Sequence, residues 1–323
     1  MTKPSVLITR KIPAIATELL APHVTIEQWA GEAPMTRAQL LDKVAGVAAI
    51  LSCLTEQIDA QVFAAAGPQL KVVANFAVGF DNIDLDAARA HGVTVTNAPA
   101  PEVSTAVAEH TLALILATAR HIVAGDQFVR AGDYHDWLPL GFLGLELRGK
   151  TIGVVGCGRI GGALLEIAVK GLGMKGLYAN LHKDEALETD LGVERHELDT
   201  VLKQSDVISL HVPLMKSTHH LIGHRELGLV KPTAILINTS RGPVVDQVAL
   251  VHALQTNRLA GAGLDVFEDE HHVPADLRHL PNVTLTPHSA SATIEARTAM
   301  AKLAAENALA VLAGKPPLNP VKG

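Results

Sequence analysis

The sequence predicts an α/β protein built from two doubly wound parallel-sheet domains with a cleft between them. A β-branched run that begins at Thr151 leads directly into Gly156-x-Gly158-x-x-Gly161 and then into a helical stretch, the order of elements in a βαβ unit. Short apolar runs alternate with helical stretches on both sides of this motif, as parallel sheets require. The chain has 323 residues, which is more than one ordinary hydrophobic core holds.

The predicted elements fall into two sets, which we expect to form a flavodoxin-like and a Rossmann-like sheet. The first set has strands at residues 6–9, 48–52, 71–75 and 93–96, and its helices include 36–44 and 60–66. The second set begins at Thr151 and continues with strands at 176–178, 207–210, 234–238, 261–265 and 283–286. Residues 101–131, between the sets, predict one or two helices, and residues 291–313 predict a C-terminal helix.

Composition excludes several classes of protein. Hydrophobic residues make up 48% of the chain and charged residues 19%, which argues against disorder. A net charge of −6 without a long basic run argues against a nucleic-acid partner. Cys53 and Cys157 lack metal-ligand spacing, so we expect no disulfide framework and no metal site. The N-terminal residues do not resemble a signal peptide, and no apolar stretch approaches the ~18 residues of a membrane span. We therefore expect a cytoplasmic protein without membrane association.

The glycine motif indicates a dinucleotide site. Gly156 permits a tight turn, Gly158 lets the backbone approach a pyrophosphate, and Gly161 lets helix and strand pack closely. The following helix offers N–H groups to the phosphates at its N-terminus. A glycine-rich turn without a ligand is the alternative, but the strand before the motif and the helix after it favour the dinucleotide site.

Four further segments carry a resemblance to a known family. They are NFAVGFDNID at 75–84, INTSRGPVVD at 237–246, GLDVFEDE at 263–270 and LTPHSASAT at 285–293. With the glycine motif, their order and spacing resemble the D-isomer-specific 2-hydroxyacid dehydrogenases. Residues 73–99, 119–132 and 141–153 most resemble the glyoxylate/hydroxypyruvate reductase branch. The resemblance implies a discontinuous substrate (catalytic) domain at 1–99 plus 289–323, with a dinucleotide-binding domain at 100–288.

The resemblance implies that Arg241, Glu270 and His288 are the catalytic set. An imidazolium at His288 can protonate the carbonyl oxygen of a 2-oxo acid as hydride arrives, because its unperturbed pKa of about 6.5 is close to working pH. Glu270 would be a buried carboxylate partner of the other ring nitrogen. The planar guanidinium of Arg241 suits a carboxylate and the adjacent carbonyl oxygen. Any one of these residues alone could be structural, whereas together they favour catalysis.

The resemblance also implies substrate contacts outside the catalytic set. The backbone N–H groups of a loop at Ala77, Val78 and Gly79 would bind the substrate carboxylate. Trp137 would extend across a homodimer interface into the neighbouring active site, although it could equally anchor its own loop. Two positions depart from the family pattern: His271 stands where a proline usually follows the glutamate, and Ala290 where a glycine is common.

The cofactor expected from these residues is NADP(H), with NAD(H) possible. The second strand of the nucleotide fold ends at Asn180 instead of an acidic residue, and His182 and Lys183 follow where a 2′-phosphate could lie. The preceding helix is one residue longer than the resemblance implies, which makes the register of this loop ambiguous. Asn180 could instead cap a turn, and Lys183 could be solvated. Further cofactor contacts implied by the family are Arg159, Ile160, His211, Pro213, Thr239, Ser240 and Asp265.

These observations predict an NAD(P)H-dependent reductase of small 2-oxo acids, with glyoxylate and hydroxypyruvate as leading substrates and a homodimer as the assembly. Hydroxyphenylpyruvate, 2-ketogluconate or phosphoglycerate specificity is an alternative, because small changes in pocket loops can select among them. A dinucleotide-sensing protein that regulates a partner is an alternative of another class, since fold alone does not determine function.

Overall fold

The computed structural model describes residues 3–321 and divides into two compact units. The first unit contains the described residues up to Val103 together with those from Ala292 onward, and the second is Ser104–Ser291. The strands are β1 (Ser5–Ile8), β2 (Thr25–Gln28), β3 (Ala49–Ser52), β4 (Val72–Asn75), β5 (Thr94–Thr96), β6 (Thr151–Val155), β7 (Lys175–Ala179), β8 (Glu194–Arg195), β9 (Val207–Leu210), β10 (Ile235–Asn238), β11 (Gly261–Leu264) and β12 (Val283–Leu285).

The helices alternate with these strands through most of the chain. They are α1 (Ile15–Leu20), α2 (Arg37–Lys43), α3 (Ala60–Ala66), α4 (Leu85–Ala90), α5 (Pro101–Ala119), α6 (Ile122–Arg130), α7 (Arg159–Glu166), α8 (Glu185–Leu191), α9 (Leu198–Gln204), α10 (His224–Leu227), α11 (Gln247–Gln255), α12 (Ala275–Arg278) and α13 (Ile294–Leu312). Side-chain caps start several of them, such as Thr36 on α2 and Asp59 on α3.

Each unit has one parallel sheet. The sheet of the first unit has the order β2-β1-β3-β4-β5, and α13 packs on this unit against α1 and β4. The sheet of the second unit has the order β12-β11-β10-β9-β6-β7-β8. These are the flavodoxin-like and Rossmann-like orders, and in the second the direction of winding reverses between β6 and β9. The prediction of two parallel-sheet α/β domains is confirmed.

Two strands were missing from the sequence prediction, and both lie at a sheet edge. β2 is the outermost strand of the first sheet, and β8 is the outermost strand next to β7 in the second. Central strands such as β3 and β4 are buried along their whole length and read as continuous apolar runs. β2 instead alternates between exposed and half-buried residues, and β8 has only two residues, so neither forms an apolar run.

Residues 101–131, for which the sequence predicted one or two helices, form two. α5 ends before His121, which adopts a left-handed backbone with φ of 54°, and α6 starts there at an angle of 63° to α5. Within residues 3–321 no single helix has the length and apolar composition of a membrane span, and only this bent pair reaches them jointly.

The helix after the glycine motif, for which the resemblance implies an extra residue, is not α-helical to its end. The helix continues beyond α7 as a π-helical segment, Ile167–Gly171. A π turn closes its hydrogen bond one residue later than an α turn, so it accommodates an inserted residue. β7 then pairs with β6 in an uninterrupted register from Thr151 opposite Lys175 to Val155 opposite Ala179.

The three motif glycines occupy distinct positions between β6 and α7. Gly156 has φ of 90°, and a Cβ there would lie 2.7 Å from the backbone nitrogen of Val212. A Cβ on Gly161 would lie 2.6 Å from the carbonyl oxygen of Gly156. Gly158, in contrast, has no atom within 4 Å of the position a Cβ would take. The first and third glycines are therefore required by packing, and the second faces open space.

A matched pair of substitutions in α7 tests this packing. We expect Gly161→Ala to lower the free energy of unfolding by ~1–3 kcal/mol, because relief of the contact moves backbone atoms. Gly162→Ala should be neutral or raise it by up to ~1 kcal/mol through helix propensity, because its Cβ would meet only Leu187 Cδ1 at 3.7 Å. Urea denaturation followed by circular dichroism measures both, and equal stabilities for the two variants would contradict the assigned close contact.

Candidate active site

Three residues named from the sequence, Arg241 and His288 for catalysis and Asp265 for cofactor contact, follow neighbouring strands of the second sheet. Arg241 follows β10, Asp265 follows β11 and His288 follows β12. These three strands are neighbours and parallel, so their carboxyl ends meet at the same edge. This is the edge at which open α/β sheets bind ligands.

His288 and Glu270 form an ion-pair geometry. His288 Nδ1 lies 2.8 Å from Glu270 Oε1 and 2.9 Å from Oε2. A carboxylate at Nδ1 orients the ring and leaves Nε2 to exchange a proton with a substrate. The expectation of a buried carboxylate was wrong, because the Glu270 side chain is 42% exposed. Glu270 belongs to the acidic segment Glu268-Asp269-Glu270, which remains at the surface next to the site.

The backbone of His288 adopts an uncommon conformation. Its φ is 50°, in the left-handed region that non-glycine residues visit rarely and at a cost of order 1–3 kcal/mol. Its N–H donates to the carbonyl oxygen of Asp265 at 2.8 Å. Strained residues of this kind cluster at functional sites, so the conformation supports a functional role for this histidine.

The carboxylate of Asp265 holds the loop that carries His288 through hydrogen bonds. Its Oδ1 accepts from Thr286 Oγ1 at 2.6 Å and from the N–H of Ser289 at 2.8 Å, and its Oδ2 accepts from the N–H of Ala290 at 2.8 Å. Burial alone would raise the pKa of Asp265, but these hydrogen bonds and His110 outweigh it and hold the pKa below its usual value. The buried carboxylate therefore stays ionised and holds both sides of His288.

His110 is a site residue that the sequence analysis missed. Its Nε2 lies 3.1 Å from Thr286 Oγ1 and 3.5 Å from Asp265 Oδ1. It lies in the middle of α5, within a run of helical spacing that gave no sign of a polar role. On the same helix, Thr111 Oγ1 lies 2.9 Å from Thr239 Oγ1. Side chains of α5 thus contact the loops that follow β10 and β12.

Arg241 lies in a tightly constrained turn after β10. Asn238 holds this turn, donating from Nδ2 to the carbonyl oxygen of Arg241 at 3.0 Å and accepting from the N–H of Ser240 at 3.0 Å. A Cβ on Gly242 would overlap the carbonyl group of Phe267. The turn that carries Arg241 and the segment that leads to Glu270 are therefore in direct backbone contact.

The glycine turn fits a dinucleotide. Among the described residues, no side chain caps the first turn of α7, which begins directly after Gly158, so its N–H groups point toward a pyrophosphate that approaches Gly158. Arg159 and Ile160 are the first two residues of this helix. The turn lies at the reversal of winding between β6 and β9, where dinucleotides bind in doubly wound sheets.

His211 and Pro213 follow β9 beside this turn. His211 Nε2 lies 2.8 Å from Ser209 Oγ, and burial lowers the pKa of His211 to about 4. The imidazole is therefore neutral at physiological pH. The carbonyl oxygen of Pro213 accepts from Thr218 Oγ1 at 2.6 Å, which closes the loop after the strand.

The loop after β7 is held by hydrogen bonds and an ion pair. Asn180 Nδ2 donates to the carbonyl oxygen of Cys157 at 3.3 Å, so Asn180 is tied to the glycine turn. Lys183 Nζ lies 3.0 Å from Glu188 Oε2, and His182 is exposed. Arg195 on β8, which the sequence analysis did not consider, donates from Nε to the carbonyl oxygen of Asn180 at 2.8 Å.

The loop of the first unit that contains Val78 and Gly79 is held through its carbonyl oxygens. Asn97 Nδ2 donates to the Val78 oxygen at 2.7 Å, and Asn75 Nδ2 donates to the Gly79 oxygen at 2.9 Å. Within residues 3–321, no hydrogen bond engages the N–H of Val78 or Gly79. These two N–H groups therefore remain available to an acceptor such as a carboxylate.

Trp137 lies in an exposed apolar segment. The segment 122–143 comprises α6 and the chain after it, and its ring contact between Phe128 and Phe142 measures 5.3 Å between centroids. Trp137 itself is 76% exposed, and its backbone N–H donates to Oδ1 of its neighbour Asp136.

In the part of the chain that the structure describes, no group of three or more His, Cys, Asp or Glu side chains could hold a metal ion.

Comparison with known proteins matches residues 112–290 to the family described as D-isomer specific 2-hydroxyacid dehydrogenase, NAD binding domain. A glyoxylate reductase of Thermococcus onnurineus is 49% identical over 295 residues, which cover 90% of this chain and 87% of the relative. A solved structure of a Thermus thermophilus protein has a TM-score of 0.92 and 41% identity, covering 98% of this chain and all of that one.

A second solved structure carries a functional name. It is an NADPH-dependent glyoxylate/hydroxypyruvate reductase of Sinorhizobium meliloti in complex with citrate, with a TM-score of 0.84 and 34% identity, covering 99% of this chain and 98% of that one. The resemblance drawn from the sequence motifs is confirmed, as is the prediction of an oxidoreductase with a nicotinamide dinucleotide cofactor. The chain belongs to the D-isomer-specific 2-hydroxyacid dehydrogenases.

Proposed function

We propose that this enzyme reduces glyoxylate and hydroxypyruvate to the corresponding 2-hydroxy acids, with NADPH as the preferred reductant. The observation that carries the proposal is the pairing of His288, in a left-handed backbone conformation, with Glu270 at Nδ1. The relatives named glyoxylate reductase and glyoxylate/hydroxypyruvate reductase support the substrate class.

His288 acts as the proton donor in this proposal. The bound dinucleotide supplies a hydride to the carbonyl carbon of the 2-oxo acid. As the carbonyl oxygen gains negative charge, the Nε2 proton of the His288 imidazolium moves to it and a hydroxyl group forms. Glu270, at Nδ1, stabilises the imidazolium before the transfer and keeps Nε2 directed at the oxygen. In the reverse reaction the neutral ring accepts the proton.

Substrate orientation is assigned to Arg241 and to the loop of the first unit. The guanidinium of Arg241 donates to the substrate carboxylate and to the developing oxyanion, which a lysine ammonium cannot match in geometry. In the first unit, the N–H groups of Val78 and Gly79 are assigned to carboxylate binding. In the second unit, Thr239, Ser240 and Asp265 are assigned to the nicotinamide end of the cofactor.

The His288 assignment predicts a large loss of turnover without a loss of structure. We expect His288→Asn to lower kcat by ~10²–10⁴, the usual contribution of general acid catalysis, because asparagine tolerates a left-handed backbone but does not donate a proton in this way. Glu270→Gln should lower kcat by ~10–100-fold. Absorbance of the reduced nicotinamide at saturating glyoxylate or hydroxypyruvate, with NADPH and NADH in parallel, measures both.

Binding of dinucleotide by the same variants provides the control. His288→Asn should bind NADPH as the wild type does, because the glycine turn is untouched. Full activity of His288→Asn would remove the histidine from the mechanism. If the wild type binds dinucleotide but turns over none of the tested 2-oxo acids, the proposal gives way to a sensing protein on the same fold.

The loop assignment predicts a specific effect at Asn97. Asn97→Ala removes the donor that holds the Val78 carbonyl oxygen, so the neighbouring N–H groups lose their fixed direction. We expect KM for glyoxylate to rise about fivefold, the equivalent of one hydrogen bond of ~1 kcal/mol. KM for NADPH serves as the internal control and should not change. Equal increases of both constants would indicate general loosening of the fold instead.

The proposal includes a homodimer that forms through the segment 122–143. Large apolar side chains in this segment are exposed, a feature that marks interaction surfaces: Ile122 is 58% exposed, Val129 59%, Tyr134 56%, Trp137 76%, Leu140 82% and Leu143 68%. A second copy of the chain would cover them, and Trp137 would then contribute to the active site of its neighbour.

The free thiols of Cys53 and Cys157 suit the reducing cytoplasm that we propose as the location.

Sedimentation tests the dimer with a matched pair of variants. The wild type should sediment at twice the chain mass of 34.0 kDa, and Leu140→Glu should shift it to the monomer, because a charge is not tolerated in an apolar interface. Ile294→Glu is the control, since Ile294 is 84% exposed but lies outside the segment. A wild-type monomer, or a Leu140→Glu variant that remains dimeric, would contradict this interface.

A further inference from the structure

A row of hydrogen bonds extends from the glycine turn to the edge strand of the second sheet. β6, β7 and β8 are neighbours in that sheet and parallel, so their carboxyl ends lie side by side. At these ends the N–H of Gly156 donates to Ala179, and Asn180 donates to Cys157. Arg195 Nε in turn donates to the carbonyl oxygen of Asn180 at 2.8 Å. Arg195 is thus fixed at the outer end of the row.

The order of this row matches the order of groups in a dinucleotide. The pyrophosphate lies at the first glycine turn, and the adenosine ribose lies at the end of the second strand of the fold. Here the second strand is β7, which is followed by Asn180. A phosphate on the 2′-oxygen of that ribose would extend away from the pyrophosphate, toward the strand beyond β7. That strand is β8, and its last residue is Arg195.

The Arg195 guanidinium is both fixed and accessible. Its Nε is engaged by Asn180, and its side chain is 31% exposed. The other contact is with Glu197, whose Oε1 lies 3.5 Å from Nη2 and whose side chain is 83% exposed. An ion pair so exposed and so long is worth little, so a phosphate with about two negative charges can replace Glu197.

The cation expected from the sequence is less suited to this task. Lys183 Nζ lies 3.0 Å from Glu188 Oε2. Glu188 also accepts from the Tyr178 hydroxyl at 3.0 Å and from the Arg195 N–H at 3.1 Å. The Lys183 charge therefore balances the Glu188 carboxylate, which accepts from the backbone of Arg195, and this reduces the repulsion that a phosphate at Arg195 would meet. Lysine also lacks the planar fork that binds phosphate through two parallel hydrogen bonds.

We propose that Arg195 is the residue that selects NADPH over NADH, through contact of its guanidinium with the 2′-phosphate. This inference rests on the dinucleotide site of the proposed function and assigns its cofactor preference to β8, outside the loop at 180–183. Lys183 acts indirectly in this arrangement, as the partner that neutralises Glu188.

Binding of nucleotide fragments to the enzyme without substrate tests the assignment directly. Isothermal titration with adenosine 2′,5′-bisphosphate and with AMP compares ligands that differ only in the 2′-phosphate. We expect the wild type to bind the bisphosphate about 10–100-fold more tightly, the range of charge-assisted hydrogen bonds. Arg195→Gln should abolish this preference, and Arg195→Lys should retain part of it. Unchanged AMP affinity in both variants indicates that the site remains folded.

The matched control is Lys183→Gln, which should keep most of the preference. Loss of the preference in Lys183→Gln but not in Arg195→Gln would assign the phosphate to the loop and overturn the proposal. Equal affinity of the wild type for AMP and the bisphosphate would also overturn it.

Kinetics then separate this inference from the proposed reaction. In Arg195→Gln, KM for NADPH should rise about 10–100-fold while KM for NADH stays constant. Turnover of glyoxylate with a preference for NADPH that Arg195→Gln leaves intact would sustain the reaction and refute the role of Arg195. Fragment binding that depends on Arg195, without turnover of any 2-oxo acid, would sustain Arg195 and refute the reaction.

Discussion

The buried carboxylate of Asp265 is the interaction on which the candidate active site depends. A lone charge in a protein interior is costly, and it persists only when donors surround it. Here the donors come from Thr286, Ser289 and Ala290, on either side of His288. The need to satisfy one buried charge therefore forces the loop after β12 against the end of β11. The N–H of His288 also donates to the main-chain carbonyl oxygen of Asp265, so the left-handed residue is held on the same aspartate.

Close backbone packing connects the remaining parts of the site. Gly242 approaches the Phe267 carbonyl so closely that no side chain fits between them. The turn that carries Arg241 and the segment that leads to Glu270 therefore share one fixed boundary. Together with Asp265, this contact gives a common rigid support to the turn after β10 and the loop after β12, the two strands on either side of β11. Preorganised electrostatic catalysis needs a rigid support of this kind.

Much of this organisation was accessible from the sequence, for identifiable reasons. Central parallel strands are buried on both faces, so β3, β4 and β9 were found as apolar runs, whereas the edge strands β2 and β8 gave no such signal. Glycines that close packing requires, such as Gly161, are visible in the sequence as a motif. His110 and Arg195 leave none, because their roles arise from neighbours far along the chain, such as Thr286 and Asn180. The exposure of Glu270 likewise depends on the course of a surface segment.

The π-helical segment at Ile167–Gly171 has a consequence for how such chains diverge. A residue inserted into a regular α-helix rotates everything after it by about 100° and misaligns its apolar face. Here the helix ends in one widened turn, and β7 pairs with β6 without any offset. The helix can thus gain or lose length while Asn180 keeps its distance from the glycine turn. A change in helix length at this point can therefore be absorbed without a shift in the register of the sheet.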